Sequence, residues 1–243
     1  MFKRAVVLAG GKGTRLRPYT VAIPKPLVPV GDYPISEIII KQLIVYGFDH
    51  ITVAVGHQSD IIRSYLGNGS KWGVKIDYSM ESEPLGTIGP LKLIPDLPEN
   101  FLVMNGDILT DLDFGALFNH HASSRNILTL ASHLREEVNP YGVLSVDGGG
   151  YLRDFKEKPS LSLEISMGVH IANKKILSYI PEERPYGLND LTKDLIAANL
   201  PVKVQRHTGY WLDIGIPKDY QQAADDFDKM KDGLLTPKVR SNR

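Results

Sequence analysis

An aliphatic run that breaks into three glycines within four positions, Gly10-Gly11-Lys12-Gly13, constrains this chain more than any other stretch. The run, Ala5 to Ala9, has the continuous β-branched and aliphatic pattern of a buried strand. Glycines placed directly after it let the backbone turn sharply and bring its N–H groups close to an anion. Lys12, Arg15 and Arg17 follow, then Lys25, held between Pro24 and Pro26. Residues 1–31 contain six Lys and Arg and no Asp or Glu, although the whole chain has zero net charge. Such a local excess marks a polyanion site. Two common phosphate loops do not fit. G-x-G-x-x-G needs glycine where Leu16 stands, and G-x-x-x-x-G-K-[ST] needs lysine where Thr14 stands.

Composition removes several classes of function. The chain has no cysteine, which excludes disulfides, thiolate catalysis and cysteine metal sites. The cations are concentrated in one loop rather than spread over a face, so nucleic acid is not an expected partner. The apolar run near the N-terminus ends at Ala9, too short for a signal-peptide core, and no stretch is long enough for a membrane span. The expectation is a cytoplasmic protein with no membrane partner.

The rest of the chain alternates between strands and helices. Ile35, Ile38, Ile39, Leu43 and Ile44 share one helical face over residues 35–46, between Pro34 and Gly47. Strands are expected at Ile51–Val55, Val74–Tyr78 and Phe101–Met104, with a short helix at Asp60–Leu66 and another ending near Leu93. This spacing implies βαβ units, hence a single α/β domain of Rossmann-like type with a mainly parallel mixed sheet flanked by helices. Ligands of such sheets bind at the carboxyl ends of strands near the topological switch point. The glycine loop and Asn105-Gly106-Asp107 each follow a strand directly, so both should line one crevice.

Beyond residue 125 the pattern becomes strand-rich, at Ile127–Leu134, Tyr141–Val146, Tyr151–Lys156 and Ile165–Ala172. Asp147-Gly148-Gly149-Gly150 is a hairpin signal. Helical segments are expected near 173–180 and 189–199, strands at Val202–Arg206 and Tyr210–Asp213, and a terminal helix from Pro217 to about Met230. This half reads as additions to the same sheet, including a small β insertion. The boundaries expected are a domain at 1–230 and a polar, frayed tail at 231–243. His120 and His121 read as surface or helix-end residues, and Trp72 and Trp211 as packing anchors.

The string L-A-G-G-x-G-T-R-L-x-P, followed by P-K-P-L, resembles the signature of the sugar-1-phosphate nucleotidyltransferases, whose catalytic domain is similar to the GT-A fold. The likeness runs from Ala5 to about Asp226 and is greatest to GDP-mannose pyrophosphorylase and heptose-1-phosphate guanylyltransferase sequences. No hexapeptide repeat follows the terminal helix, so a stand-alone catalytic domain is expected. The reaction implied is attack by the phosphate oxygen of a sugar 1-phosphate on the α-phosphorus of a nucleoside triphosphate. A phosphate monoester, with its second pKa of about 6, needs no general base. Neither a Gly-x-Ser-x-Gly elbow nor His-Glu-x-x-His is present.

The resemblance also implies roles for individual residues. Nucleotide contacts fall on Leu8, Ala9, Gly10, Gly11, Lys12, Gly13, Thr14 and Arg15, and on Glu81, Pro84, Gly86, Thr87 and Asp107. Arg15 would hold the β- and γ-phosphates with support from Lys12. Lys25 would bridge the α-phosphate and the sugar phosphate. Asp107 and Asp213 would hold Mg²⁺ on the phosphates; magnesium commonly takes one or two carboxylates and completes its octahedron with phosphate oxygens and water. Arg15, Lys25 and Asp107 are the expected catalytic residues. Tyr141, Gly142, Glu157, Lys158 and Gly168 fall on the family's sugar-binding elements, but Ser166 stands where asparagine is usual.

Glu81 precedes Pro84-Leu85-Gly86-Thr87, which resembles the loop that packs on the base. A carboxylate can accept both N1–H and N2–H of guanine, so GTP is the favoured donor. A uridylyl- or thymidylyltransferase of the same family is the alternative. Two other classes share features of the sequence. A nucleotide-sugar-dependent glycosyltransferase would use a D-x-D motif, which Asp111-Leu112-Asp113 fits in form. A non-catalytic NDP-sugar sensor could lose any of Arg15, Lys25, Asp107 and Asp213, and all four are present. The sugar, the pathway and the existence of a homodimer are left open.

Overall fold

The computed structural model describes residues 3–182 and 184–236. The chain begins with β1 (Arg4–Ala9), two short strands β2 (Pro29–Val30) and β3 (Tyr33–Pro34), and α1 (Ile35–Val45). Next come β4 (His50–Val55), α2 (Ser59–Leu66), β5 (Lys75–Met80), β6 (Asn100–Asn105), β7 (Ile108–Thr110) and α3 (Phe114–Ala122). The second half contains β8 (Leu128–Val138), β9 (Val143–Val146), β10 (Leu152–Lys156), β11 (Ser160–Asn173), α4 (Leu188–Ala197) and β12 (Val202–His207). It ends with β13 (Trp211–Asp213) and α5 (Pro217–Leu235).

Seven strands form one sheet in the order β12-β8-β11-β6-β1-β4-β5. β1 runs parallel to both β4 and β6, β4 parallel to β5, and β12 parallel to β8, while β11 is antiparallel to its two neighbours. The expected mainly parallel mixed sheet is therefore present. After β1 the chain builds outward through β4 and β5, then returns to place β6 on the other side of β1. The switch point lies between β1 and β6, where open α/β sheets bind ligands.

Strand residues alternate between two cores, as the period of a strand requires. Ala5, Val7 and Ala9 face α1, α2, α3 and α5, whose apolar stripes supply Ile38, Ile39, Ile62, Leu117, Phe118 and Phe227. Val6, Phe101 and Val103 face the other way, toward Ile88, Leu91, Ile176, Leu191 and Leu195. The sheet thus lies between two layers of helical structure.

Several boundaries differ from expectation. Gly89–Leu93 and Lys174–Tyr179 are 3₁₀ turns rather than α-helices. α3 was not anticipated, yet Asp113 caps it by accepting from the Ala116 N–H at 2.7 Å. α5 continues to Leu235 with Leu234 fully buried, so residues 231–235 belong to the helix and are not frayed. Residues 237–243 of the expected tail lie outside the described residues. No helix among the described residues is long and apolar enough to cross a membrane. The hairpin forms as read, with β9 and β10 antiparallel and the Asp147 N–H donating to Tyr151 C=O at 3.0 Å.

His120 and His121 lie in the last turn of α3, the helix-end position expected, and His120 is exposed, but His121 is buried. It is 1% exposed and its Nδ1 meets Thr129 Oγ1 at 2.7 Å, while Nε2 has no partner among the described residues. Burial pulls its pKa down to about 4, helped by the charge of His120, and burial does the same to His170 on β11. Both imidazoles are therefore neutral in the folded chain near neutral pH. Their folded pKa lies below the ordinary 6.5, so the stability they contribute is present above pH 6.5 and is lost toward pH 4. Urea unfolding midpoints should fall over this window, and His121→Gln should flatten the slope. An unchanged slope in that variant would mean that His121 is charged when folded.

Candidate active site

The carboxyl ends of four adjacent strands, β6, β1, β4 and β5, frame a cleft of about 790 Å³. Its size is that of a small-molecule site. The glycine loop forms one wall. Gly13 has a left-handed φ of 61°, and a Cβ there would sit 3.0 Å from Thr20 Cγ2 and 3.1 Å from Lys25 Cβ. Thr20 Oγ1 donates to Gly13 C=O at 2.7 Å and fixes this turn from below. Thr20 is buried and was not singled out in the sequence, although it lies only seven residues beyond the glycine it holds.

Opposite the loop, Gly106 N–H donates to Leu8 C=O at 2.9 Å, and a Cβ at Gly106 would crowd that carbonyl. Glycine here lets β6 close against β1 and delivers Asp107 into the cleft. β7 and β13 pair antiparallel with Asp213 opposite Ile108, and Ile214 N–H donates to Asp107 C=O at 3.0 Å. This two-stranded ladder brings together aspartates more than a hundred residues apart in the chain.

Cations surround the pair. Lys25 Nζ forms an ion pair with Asp107 Oδ2, with both side chains largely buried. Arg15 Nη2, Asp213 Oδ1 and Asp219 Oδ2 each lie 3.7–3.8 Å from the position a Cβ would take at Gly215. Burial raises the Asp213 pKa, and the Asp107 charge adds to the rise, while Lys25 and Arg15 oppose it. Asp107 Oδ1 and Asp213 Oδ1 are both buried without a hydrogen-bond partner among the described residues. No group of three or more His, Cys, Asp or Glu is gathered there among the described residues. A site of two carboxylates with free oxygens suits a hard cation that takes its remaining ligands from phosphate and water, not one caged by protein alone.

The far wall holds Glu81. Its backbone N–H donates to Val55 C=O at 3.1 Å, and its Oε2 accepts from the Leu85 N–H at 3.1 Å. A Cβ at Gly10 would overlap the Glu81 carboxylate, and one at Gly56 would lie 3.0 Å from its Oε1. The glutamate thus lies across two glycines, close to the backbone of β1 and β4. Gly56 and His57 also line the cleft and were missed, although both directly follow the predicted strand Ile51–Val55.

All residues expected to contact nucleotide line this cleft: 8–15, Glu81, Pro84, Gly86, Thr87 and Asp107. The expected sugar-site residues are divided. Gly168, with φ 70°, packs so that a Cβ would lie 2.6 Å from Asn105 Nδ2 at the cleft edge. Gly142 lies close to Glu157, where a Cβ would be 3.3 Å from Oε2, but Tyr141, Glu157 and Lys158 are exposed and do not line the cleft. They belong to a β8–β11 ribbon and β9–β10 hairpin that extend beyond the main sheet pairing. Trp211 donates its indole N–H to Met167 C=O at 3.0 Å, and its ring lies 5.7 Å from that of His133. The D-x-D pattern is otherwise engaged, since Asp111 meets His207 Nε2 at 2.7 Å and Asp113 caps α3.

A nucleotidyl transferase family model matches residues 4–230. The chain belongs to the nucleotidyl transferase family. It is 37% identical over 240 residues to a UTP–glucose-1-phosphate uridylyltransferase of Synechocystis, covering 90% of this chain and 62% of that one. It is 34% identical over 224 residues to the mannose-1-phosphate guanylyltransferase catalytic subunit beta of Drosophila melanogaster, covering 89% and 60%. The chain therefore spans less than two thirds of the length of these relatives. Among solved structures, HddC of Yersinia pseudotuberculosis complexed with GMP-PN superposes with a TM-score of 0.70 at 28% identity, covering 93% of this chain and all of that one. A glucose-1-phosphate thymidylyltransferase structure from Bacillus anthracis shares the fold, with a TM-score of 0.74 at 23% identity and coverage of 99% and 98%.

The raised Asp213 pKa carries a cost that can be measured. Its folded pKa lies above the unfolded one, so ionised Asp213 destabilises the metal-free protein at neutral pH. Asp213→Asn should therefore raise the melting temperature of the metal-free chain. A lower melting temperature would show that the charge is structurally required.

Proposed function

We propose that this chain catalyses nucleotidyl transfer from a nucleoside triphosphate to a sugar 1-phosphate, releasing pyrophosphate, with GTP as the favoured donor and Mg²⁺ as the metal. The observation that carries the reading is the pairing of Asp107 with Asp213 at the β1/β6 switch point, under Lys25 and Arg15 and beside the glycine loop. A bound Mg²⁺ would neutralise charge on the nucleotide phosphates from the free oxygens of Asp107 and Asp213.

In this reaction an oxygen of the sugar phosphate forms a bond to the α-phosphorus. The bond from that phosphorus to the bridging oxygen breaks, and its electron pair leaves on pyrophosphate. No proton has to move, because the acceptor is already mostly dianionic near neutral pH. The protein's task is therefore positioning and charge neutralisation. Lys25, stiffened between two prolines, reaches the Asp107 carboxylate and from there can bridge the α-phosphate and the incoming phosphate. Arg15, on the exposed side of the loop, would take the β- and γ-phosphates together with Lys12. The backbone of residues 10–14 would line the triphosphate. Tyr141, Gly142, Glu157, Lys158 and Gly168 would take the sugar and its phosphate.

The base would lie against Pro84, Gly86 and Thr87 with Glu81 at its edge. Glu81 Oε2 accepts from Leu85 N–H, so the carboxylate is held with Oε1 against the glycine floor. A fixed carboxylate favours a base with two adjacent donors, which among the common bases points to guanine. The relatives include both uridylyl- and guanylyltransferases.

Pyrophosphate release should be measured for GTP, UTP, dTTP, ATP and CTP against hexose and heptose 1-phosphates with Mg²⁺. GTP should give the highest kcat/KM, and Asp107→Asn and Lys25→Ala should each lower kcat by about 10²–10³-fold. Turnover confined to UTP or dTTP would keep the reaction and remove the guanine assignment. Binding of an NDP-sugar without turnover would favour the sensor.

A further inference from the structure

The base loop does not support itself. Residues 84–89 have almost no regular hydrogen bonding of their own, and they lean on a segment a hundred residues later in the chain. Tyr186 N–H donates to Leu85 C=O at 2.8 Å, and Tyr186 C=O accepts from both Ile88 N–H and Gly89 N–H at 3.0 Å. Leu188 N–H donates to Thr87 Oγ1 at 3.1 Å. Gly86, with φ 81°, lies so close that a Cβ would sit 2.7 Å from Tyr186 C=O. The loop and the Tyr186 backbone therefore form one mutually fixed unit.

Tyr186 is itself held by α4. The residue is 2% exposed and its hydroxyl donates to Asp194 Oδ2, one turn and a half into that helix. Burial raises the phenol pKa and the Asp194 carboxylate raises it further, so the hydroxyl remains a donor throughout the physiological range. Leu85 links this anchor to the base edge. Its carbonyl accepts from Tyr186, and its amide donates to Glu81 Oε2. A continuous series of hydrogen bonds thus runs from Asp194 through Tyr186 and Leu85 to Glu81.

We propose that Tyr186, locked by Asp194, is the positioning residue that sets the base loop and holds the Glu81 carboxylate in the orientation that reads the base. The inference rests on the placement of the base beside Glu81 argued above. Tyr186 does not line the cleft, so its effect on the nucleotide passes through Leu85 and Glu81. Losing the hydroxyl while keeping the ring frees the loop without emptying the core.

The affinity of GTP with Mg²⁺ should be measured calorimetrically for the unmodified chain, Tyr186→Phe, Asp194→Ala, Asp194→Asn, Glu81→Gln and the Tyr186→Phe/Glu81→Gln double variant. Tyr186→Phe and Asp194→Ala should each weaken GTP binding about five- to tenfold, the scale of one ordinary lost hydrogen bond. In turnover the loss should fall on KM for the nucleotide rather than on kcat. Asp194→Asn keeps an acceptor and should restore most of the affinity. Residues acting in series are not additive, so Tyr186→Phe should cost less than twofold once Glu81 is already Gln. Full additivity, or GTP affinity within twofold of normal in Tyr186→Phe, would overturn the inference while leaving the Glu81 reading intact. GTP affinity unchanged by Glu81→Gln would overturn the base reading itself, and this inference with it.

Discussion

The burial of two neighbouring carboxylates, Asp107 and Asp213, is the constraint on which the cleft depends. Burial pushes the Asp213 pKa up, and the charge of Asp107 adds to the rise. The fold offsets this with two cations from a single loop: Lys25 in direct contact with Asp107, and Arg15 close to Asp213. The compensation is incomplete, because one oxygen of each carboxylate has no partner among the described residues. Carboxylate oxygens left in this condition suit a hard cation.

The rest of the scaffold keeps that arrangement in place. β1 and β6 must lie next to each other for the glycine loop to face Asp107, and Gly106 permits the approach. The β7–β13 ladder must close for Asp213 to arrive, and α5 begins just beyond it. α5 also packs Phe227 and Leu234 into the core, with the Phe227 ring against Gly31 and Tyr33. On the opposite side of the cleft, α4 fixes the 84–89 loop through Tyr186. The two walls are thus anchored to different helices, on different faces of the sheet.

Much of this was legible in the chain itself. The strand–glycine–cation order located one wall of the cleft, because glycines directly after a buried strand let the backbone turn sharply into a loop. Strand and helix periodicity gave β1, α1, β4 and β6 closely, since their apolar residues are buried in long, regular patterns. α3 was missed although Phe114, Leu117, Phe118 and His121 follow helical spacing and Asp113 is a preferred cap. The apparently polar His120-His121 pair concealed it, because a histidine buried as a neutral imidazole looks the same in sequence as a solvated one. The 3₁₀ character of Gly89–Leu93 and Lys174–Tyr179 was not legible, because five or six residues are too few to separate the two helical periods.

The sequence by itself determined the chemistry available: a glycine-rich anion loop, a proline-flanked lysine, aspartates after strands, and a glutamate before a Pro-Leu-Gly-Thr turn. These are local facts, set by residue type and by what the adjacent backbone can adopt. Tertiary structure alone decided which of them meet. Asp213 reaches Asp107 only through an antiparallel ladder, Thr20 serves Gly13 only because the loop folds back, and Tyr186, tied to Asp194 of α4, meets the 84–89 loop a hundred residues earlier in the chain. Side-chain identity limits what a residue can do, but long-range pairing is fixed by the joint burial of two cores. No single stretch of sequence contains that information.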